Sequence, residues 1–190
     1  EIRGAGEILG EEQSGQIFEI GYAMYTSMLS KAIKQLKNYN ETNNHIHTDV
    51  DCYTSTLIPQ DYVEDIFFRL EIYNDISNAK NDYDIDHIVS KLEDVYGPIP
   101  DYLKNLFSLT RVKIEGNRIK ADKIKINKEN TVITLNPKSL IDNDKLFNHF
   151  VLKNKIKLTD QYNLKYQNIS KDNFCELCEE VIFMMKDISD

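Results

Sequence analysis

The chain has 190 residues, 41% hydrophobic and 28% charged, with a formal net charge of −8. That length supports one to two domains with a buried core, and no apolar run reaches the roughly 18 residues of a membrane-spanning helix. Three cysteines argue against a disulfide framework and fit a reducing cytoplasm, and the negative balance disfavours nucleic acid as a direct partner of the whole chain.

Four of the seven glycines fall in the opening stretch Glu1-Ile-Arg-Gly-Ala-Gly-Glu-Ile-Leu-Gly-Glu-Glu-Gln-Ser-Gly15. Its backbone is free to take positive φ, and Arg3 and Gln13 each carry several hydrogen-bond donors. The stretch begins without a methionine and without a preceding element, so the natural chain is expected to extend upstream; no charged-then-apolar leader is visible. Residues 16–37 follow with Ile17, Ile20, Met24, Met28, Ala32 and Leu36 at helical spacing, a start that Ser14 can cap. Residues 38–49 are asparagine-rich and aperiodic, the expected linker between the opening unit, 1–37, and a domain over 50–190.

Val50 to Ile58 reads as extended, ending at Pro59. A helix is expected over 61–78, with a core stripe of Val63, Ile66, Phe67, Leu70, Tyr73 and Ile76. Another is expected over 83–96, with Ile85, Ile88, Val89, Leu92 and Val95, stopped by Gly97 and Pro98. A third runs from Asp101, its expected cap, to Asn117, with Leu103, Leu106, Phe107, Thr110 and Ile114 inward. The texture then turns β-prone: 123–126 and 131–135 read as a hairpin. A short helix is expected over 139–152, a strand pair over 155–158 and 162–166, and an amphipathic helix from Ser170 to Asp187. The order predicts an α+β fold, a helical layer followed by a small antiparallel sheet.

Charge is segregated along the chain. Residues 41–100 hold 13 acidic and 3 basic side chains, whereas residues 101–158 hold 13 basic and 6 acidic. The acidic segment could meet a basic protein surface, the basic segment could pair with it internally, or both could be solvated helix faces.

No motif predicts catalysis. Cys175-Glu-Leu-Cys178 falls within an expected helix, lacks a second CxxC, and reads as packing cysteines. His45, His47 and Cys52 offer no fourth ligand at metal-site spacing. Asp82, Asp84 and Asp86 alternate like the opening of a calcium loop, but His87 stands where that loop requires glycine, so they read as helix N-terminal carboxylates. There is no GxxxxGK[ST] phosphate loop. The glycine-rich opening is not a dinucleotide fingerprint, and Glu7, Glu11 and Glu12 would repel phosphate.

Ile2-Arg-Gly-Ala-Gly6, Leu9-Gly10 and Gln13-Ser-Gly15 resemble the translocation motif that follows the second motor lobe in the bacterial transcription-repair coupling factors and the branch-migration helicase RecG. Ile58-Pro-Gln-Asp-Tyr62, Asp65, Arg69-Leu70, Tyr73, Ala79-Lys80 and Asp94-Val-Tyr-Gly-Pro-Ile-Pro100 are similar to the C-terminal domain found in the coupling factors alone. The resemblance implies a translocation motif of Arg3, Gly4, Gly6, Gly10, Gln13 and Gly15, with Arg3 and Gln13 as its working pair. ATP and magnesium would bind in motor domains upstream, so this chain would hold no catalytic residue, metal or cofactor. The whole protein would be an ATP-dependent translocase on duplex DNA that displaces stalled RNA polymerase and recruits the excision-repair protein UvrA. The C-terminal domain would be an autoinhibitory clamp, with Asp94 docking on the protein's own UvrB-like domain. Lys91 stands where relatives often carry an acid. The alternatives are the tail of a RecG-like helicase and a stand-alone protein-interaction module.

Overall fold

The computed structural model describes residues 47–152, 156–159, 162–170 and 172–189. The opening stretch with Arg3 and Gln13, the expected helix over 16–37, and the expected linker up to residue 46 lie outside the described residues. Chain order is β1 (Asp49–Cys52), α1 (Ile66–Asn78), α2 (Asp82–Tyr96), α3 (Asp101–Ile119), β2 (Ala121–Ile126), β3 (Asn130–Leu135), α4 (Asn143–Leu152), β4 (Ile156–Leu158), β5 (Asn163–Gln167) and α5 (Phe174–Asp187).

The fold is α+β, as the sequence predicts, but its sheet is mixed. The five strands run in the order β1-β2-β3-β5-β4. Three neighbouring pairs are antiparallel, while β1 lies parallel to β2. The four later strands pair antiparallel, as expected; the extended segment contributes β1 in parallel because the chain after Cys52 does not fold back as a hairpin. It leads instead into α1, α2 and α3 before the chain re-enters the sheet, and a crossover of that length is what parallel pairing requires.

Alternation along the strands builds a core on one sheet face only. Ile124, Ile126, Ile133, Leu135, Leu164, Tyr166 and Ile156 point inward to Leu109, Val112 and Ile119 of α3 and to Leu177, Cys178, Val181 and Met185 of α5. α3 sits unusually close to the strands at Gly116. A Cβ there would lie 2.8 Å from Thr48 Cγ2 and from Ile124 Cδ1. Thr48 itself is buried, its amide donating to Asn117 Oδ1 (2.8 Å) and its hydroxyl to the Ala121 carbonyl (2.8 Å).

Local caps explain most helix boundaries, and some differ from expectation. α1 starts at Ile66 because Asp65 caps it, accepting from the amides of Phe67 (2.7 Å) and Phe68 (3.3 Å); residues 59–63 form a turn on the Pro59 carbonyl instead. α2 is capped by Asn81 and ends at Gly97, whose φ of 85° suits glycine. Asp101 is not the cap of α3. Pro100 holds that position without a side-chain bond, and Asp101 accepts from Lys104 Nζ at 2.9 Å.

The chain between β5 and α5 is pinned by one carboxylate. Glu180 accepts from Tyr166 Oη (2.6 Å) and from the amides of Ile169 and Ser170 (both 2.8 Å). Burial pushes this carboxyl up, but the Tyr166, Ser170 and Ile169 bonds outweigh burial and hold it below the ordinary glutamate value. A depressed carboxyl stabilises the fold above its unfolded-state value and loses that contribution as pH falls through the folded one. Glu180→Gln should therefore lower the melting temperature at pH 7 and flatten its decline below about pH 4.5, as thermal melts across pH would report.

Candidate docking site

The acidic segment concentrates around one groove. The loop 59–65, α1 and the C-terminal half of α2 enclose a cavity of about 720 Å³. Its apolar floor comes from Phe68, Ile72, Leu92, Val95 and Tyr96, and its rim from Asp61, Glu64, Asp65, Glu71 and Asp75, with Lys91 as the one cation among the lining residues.

Two anchors hold the groove in shape. The buried Arg69 guanidinium, in the first turn of α1, donates to the carbonyls of Val63 and Glu64 (2.8 Å to the latter), clamping the rim-bearing loop onto the helix. On the other side, Tyr62 Oη donates to the Gly97 carbonyl at 2.8 Å, and its ring meets Tyr96 at 5.7 Å. Burial, then the nearby Glu93 and Tyr96, pushes the Tyr62 phenol up, so it stays a donor at neutral pH.

Arg69 also changes which residues face outward. The expected stripe put Phe67 in the core, whereas Arg69, Ile72, Tyr73 and Ile76 are the buried residues of α1. Phe67 is 73% exposed and Phe68 53%. Arg69, turned inward by two loop carbonyls, takes the buried place one turn before Ile72, Tyr73 and Ile76, and Phe67 and Phe68 are left outside. Val95, expected inside, is 65% exposed, next to Asp94.

Asp94 is exposed on α2, and Lys91, one turn earlier on the same face, faces Asp75 across the groove at 4.0 Å. Other acids of the segment are taken up internally: Arg111 of α3 meets Asp82 (3.5 Å) and Asp86 (2.5 Å), and Asp84 accepts from the Lys80 amide at 2.8 Å. Lys123 pairs with Asp49 (3.4 Å) and Asp51 (2.7 Å). The basic segment therefore neutralises part of the acidic one, and the groove rim carries much of what remains. Asp61, Glu64, Glu71 and Asp94 have no ion-pair partner among the described residues.

An apolar floor within an acidic rim suits a basic protein surface that presents an apolar side chain. Among the described residues no three His, Cys, Asp or Glu side chains form a metal-holding group. Cys178 is buried in the core and Cys175 donates to Asn105 Oδ1 at 3.5 Å, as packing cysteines would. Cys52 donates to the Thr54 carbonyl at 3.3 Å. His45 lies outside the described residues. No described helix is long and apolar enough to cross a membrane. Sequence reasoning singled out Asp94 but missed the groove beside it; the run Ile66-Phe67-Phe68, too apolar for one helix face, was the available signal.

Residues 53–146 match the family model described as the TRCF domain. The chain is 34% identical to the transcription-repair-coupling factor of Buchnera aphidicola from Acyrthosiphon pisum, over 93% of this chain and 22% of that protein. It is 31% identical to the Haemophilus influenzae factor over its full length, covering 17% of that protein. The Escherichia coli factor is 32% identical over 75% of the chain and 13% of its own length. The chain thus spans about a fifth of the first two relatives. A crystal structure of the C-terminal domain of transcription-repair coupling factor superposes with a TM-score of 0.61 at 16% identity, covering 74% of this chain and 94% of that one, which establishes the shared fold.

Proposed function

From the membership of this chain in the transcription-repair coupling factor family, whose C-terminal TRCF domain it carries, we propose that residues 50–190 are a regulatory clamp on an ATP-dependent duplex-DNA translocase. In this reading the parent protein displaces RNA polymerase stalled at lesions and recruits UvrA. Residues 1–37, with Arg3 and Gln13, are the end of its second motor lobe, and residues 38–49 link that lobe to the clamp. The clamp docks through the acidic groove and Asp94 onto the protein's own UvrB-like domain and covers the surface that UvrA needs.

The observation that carries the reading is the exposed Asp94 beside an apolar groove whose acidic rim includes Asp61, Glu64 and Glu71, which have no ion-pair partner among the described residues. Exposed charges attract through a screened field, so the docked state should weaken with salt. Docking and UvrA binding would compete for one surface, and the clamp's docking free energy would appear as lost UvrA affinity. A parent protein cut before residue 48 should bind UvrA at least about tenfold more tightly, corresponding to about 1.4 kcal/mol of docking free energy, and should hydrolyse ATP faster at rest. Titration of UvrA against the intact and cut proteins measures this. Equal affinity would remove the autoinhibitory role.

A further inference from the structure

We propose that the face of the sheet left uncovered by the described helices is a contact surface for the phosphate backbone of a nucleic-acid duplex. The strand register carries it. Lys125 on β2 pairs with Val132 on β3, Val132 with Lys165 on β5, and Lys165 with Lys157 on β4. One cross-strand row over four strands therefore reads Lys-Val-Lys-Lys, on the face opposite the core. All three lysines are exposed.

None of the three has an ion-pair partner among the described residues. The nearest acid by register is Asp51, opposite Lys125, but it is drawn to Lys123 at 2.7 Å. Asp49 and Asp51 thus close off the β1 edge and confine the positive track to β2, β3, β5 and β4. Like charges directly opposite each other destabilise a sheet, as Lys157 and Lys165 must. With strands about 4.8 Å apart, the row spans roughly 14 Å, a length over which a nucleic-acid strand presents several phosphates.

The rest of the face selects among polyanions. Val132 lies between the lysines of the row, and the hydrogen-bonded pair Thr134–Asn163 (2.6 Å) stands in the row beside it. The row contains no aromatic side chain to stack an unpaired base, as single-strand binders need. Val132 is its single apolar side chain, too little for the aromatic or apolar centre typical of a protein interface. Backbone charge alone remains, which is how proteins hold a duplex without reading its sequence. The net charge of −8 weakens such binding but does not direct it, because the unpaired carboxylates described above sit at the α1–α2 groove.

Fluorescence anisotropy of a labelled 30-base-pair DNA duplex against the full chain tests the proposal. Three phosphate contacts predict a slope of about −2.7 in log K against log salt, hence about a 40-fold loss from 50 to 200 mM. Each of Lys125→Gln, Lys157→Gln and Lys165→Gln should reduce the slope by about 1, and the triple variant should abolish binding, whereas Lys80→Gln on the helical layer should change nothing. Relief of like-charge repulsion predicts that the triple variant melts no lower than the parent chain; if it melts lower, the single variants decide by their slopes. No duplex binding at low salt, a triple variant that binds with an unchanged slope, or polyglutamate competing as well as unlabelled duplex would each overturn it.

Discussion

Gly116→Val should destabilise the described fold, lowering the melting temperature by about 10 °C. In an exposed helix, replacing glycine usually gains stability, because glycine carries the larger unfolded-state entropy. Here the sign reverses. A single added Cβ already lies 2.8 Å from atoms of Thr48 and Ile124, and valine brings two further methyls. Neither neighbour can easily give way: Ile124 is fully buried in the core, and Thr48 is fixed by its bonds to Asn117 and Ala121. Overpacking of this kind costs about 1–3 kcal/mol, and for a domain of this size about 3 kcal/mol moves the midpoint by roughly that amount. Gly116→Ala should show a smaller loss in the same direction. A melting temperature at or above that of the parent chain would mean that α3 and β1 can separate without cost.

The second large effect belongs to the opening loop. Arg3→Ala in the full-length protein should abolish displacement of a stalled polymerase while leaving ATP hydrolysis largely intact. The reading that motivates it is that Arg3 and Gln13 are long donors on a glycine-rich loop, placed to transmit lobe closure and not to bind nucleotide. A residue that only transmits should separate the two activities. A polymerase-displacement assay run beside a phosphate-release assay checks this, and equal loss of both would assign Arg3 to the ATP site.

Much of this architecture was legible in the sequence because the signals were local. Gly97-Pro98 stops α2, and hydrophobic spacing in α3 and α5 identified Leu103, Leu106, Phe107, Leu177 and Cys178, all buried. The CxxC reading as packing followed from the position of Cys178 on an apolar stripe. What stayed hidden depended on contacts distant in sequence. The parallel pairing of β1 with β2 joins Asp49 to Lys123 across three helices, and no local pattern encodes it. The inward turn of Arg69 depends on carbonyls that only the folded loop presents, so Phe67 was assigned to the core although it faces solvent. Asp94 could be selected by resemblance, but the groove beside it arises from three separate segments. The lysine row was equally invisible: its members are 40 residues apart from first to last, and only the register aligns them.

The acidic groove and the lysine row place opposite charge on separate parts of the fold. In the proposed parent protein this would let one domain hold a basic protein surface through α1 and α2 while its sheet meets a duplex. Variants at the two sites should therefore behave independently, with additive effects, because they share no side-chain contact.

The most direct test of the clamp is calorimetric titration of the full chain with the isolated UvrB-like domain of its own protein. Binding should weaken at least about tenfold between 50 and 500 mM salt, and the charge reversals Asp94→Arg and Glu71→Arg together should abolish it while leaving the melting temperature of the chain unchanged. Binding that survives both reversals, or no binding by the parent chain at low salt, would contradict the account.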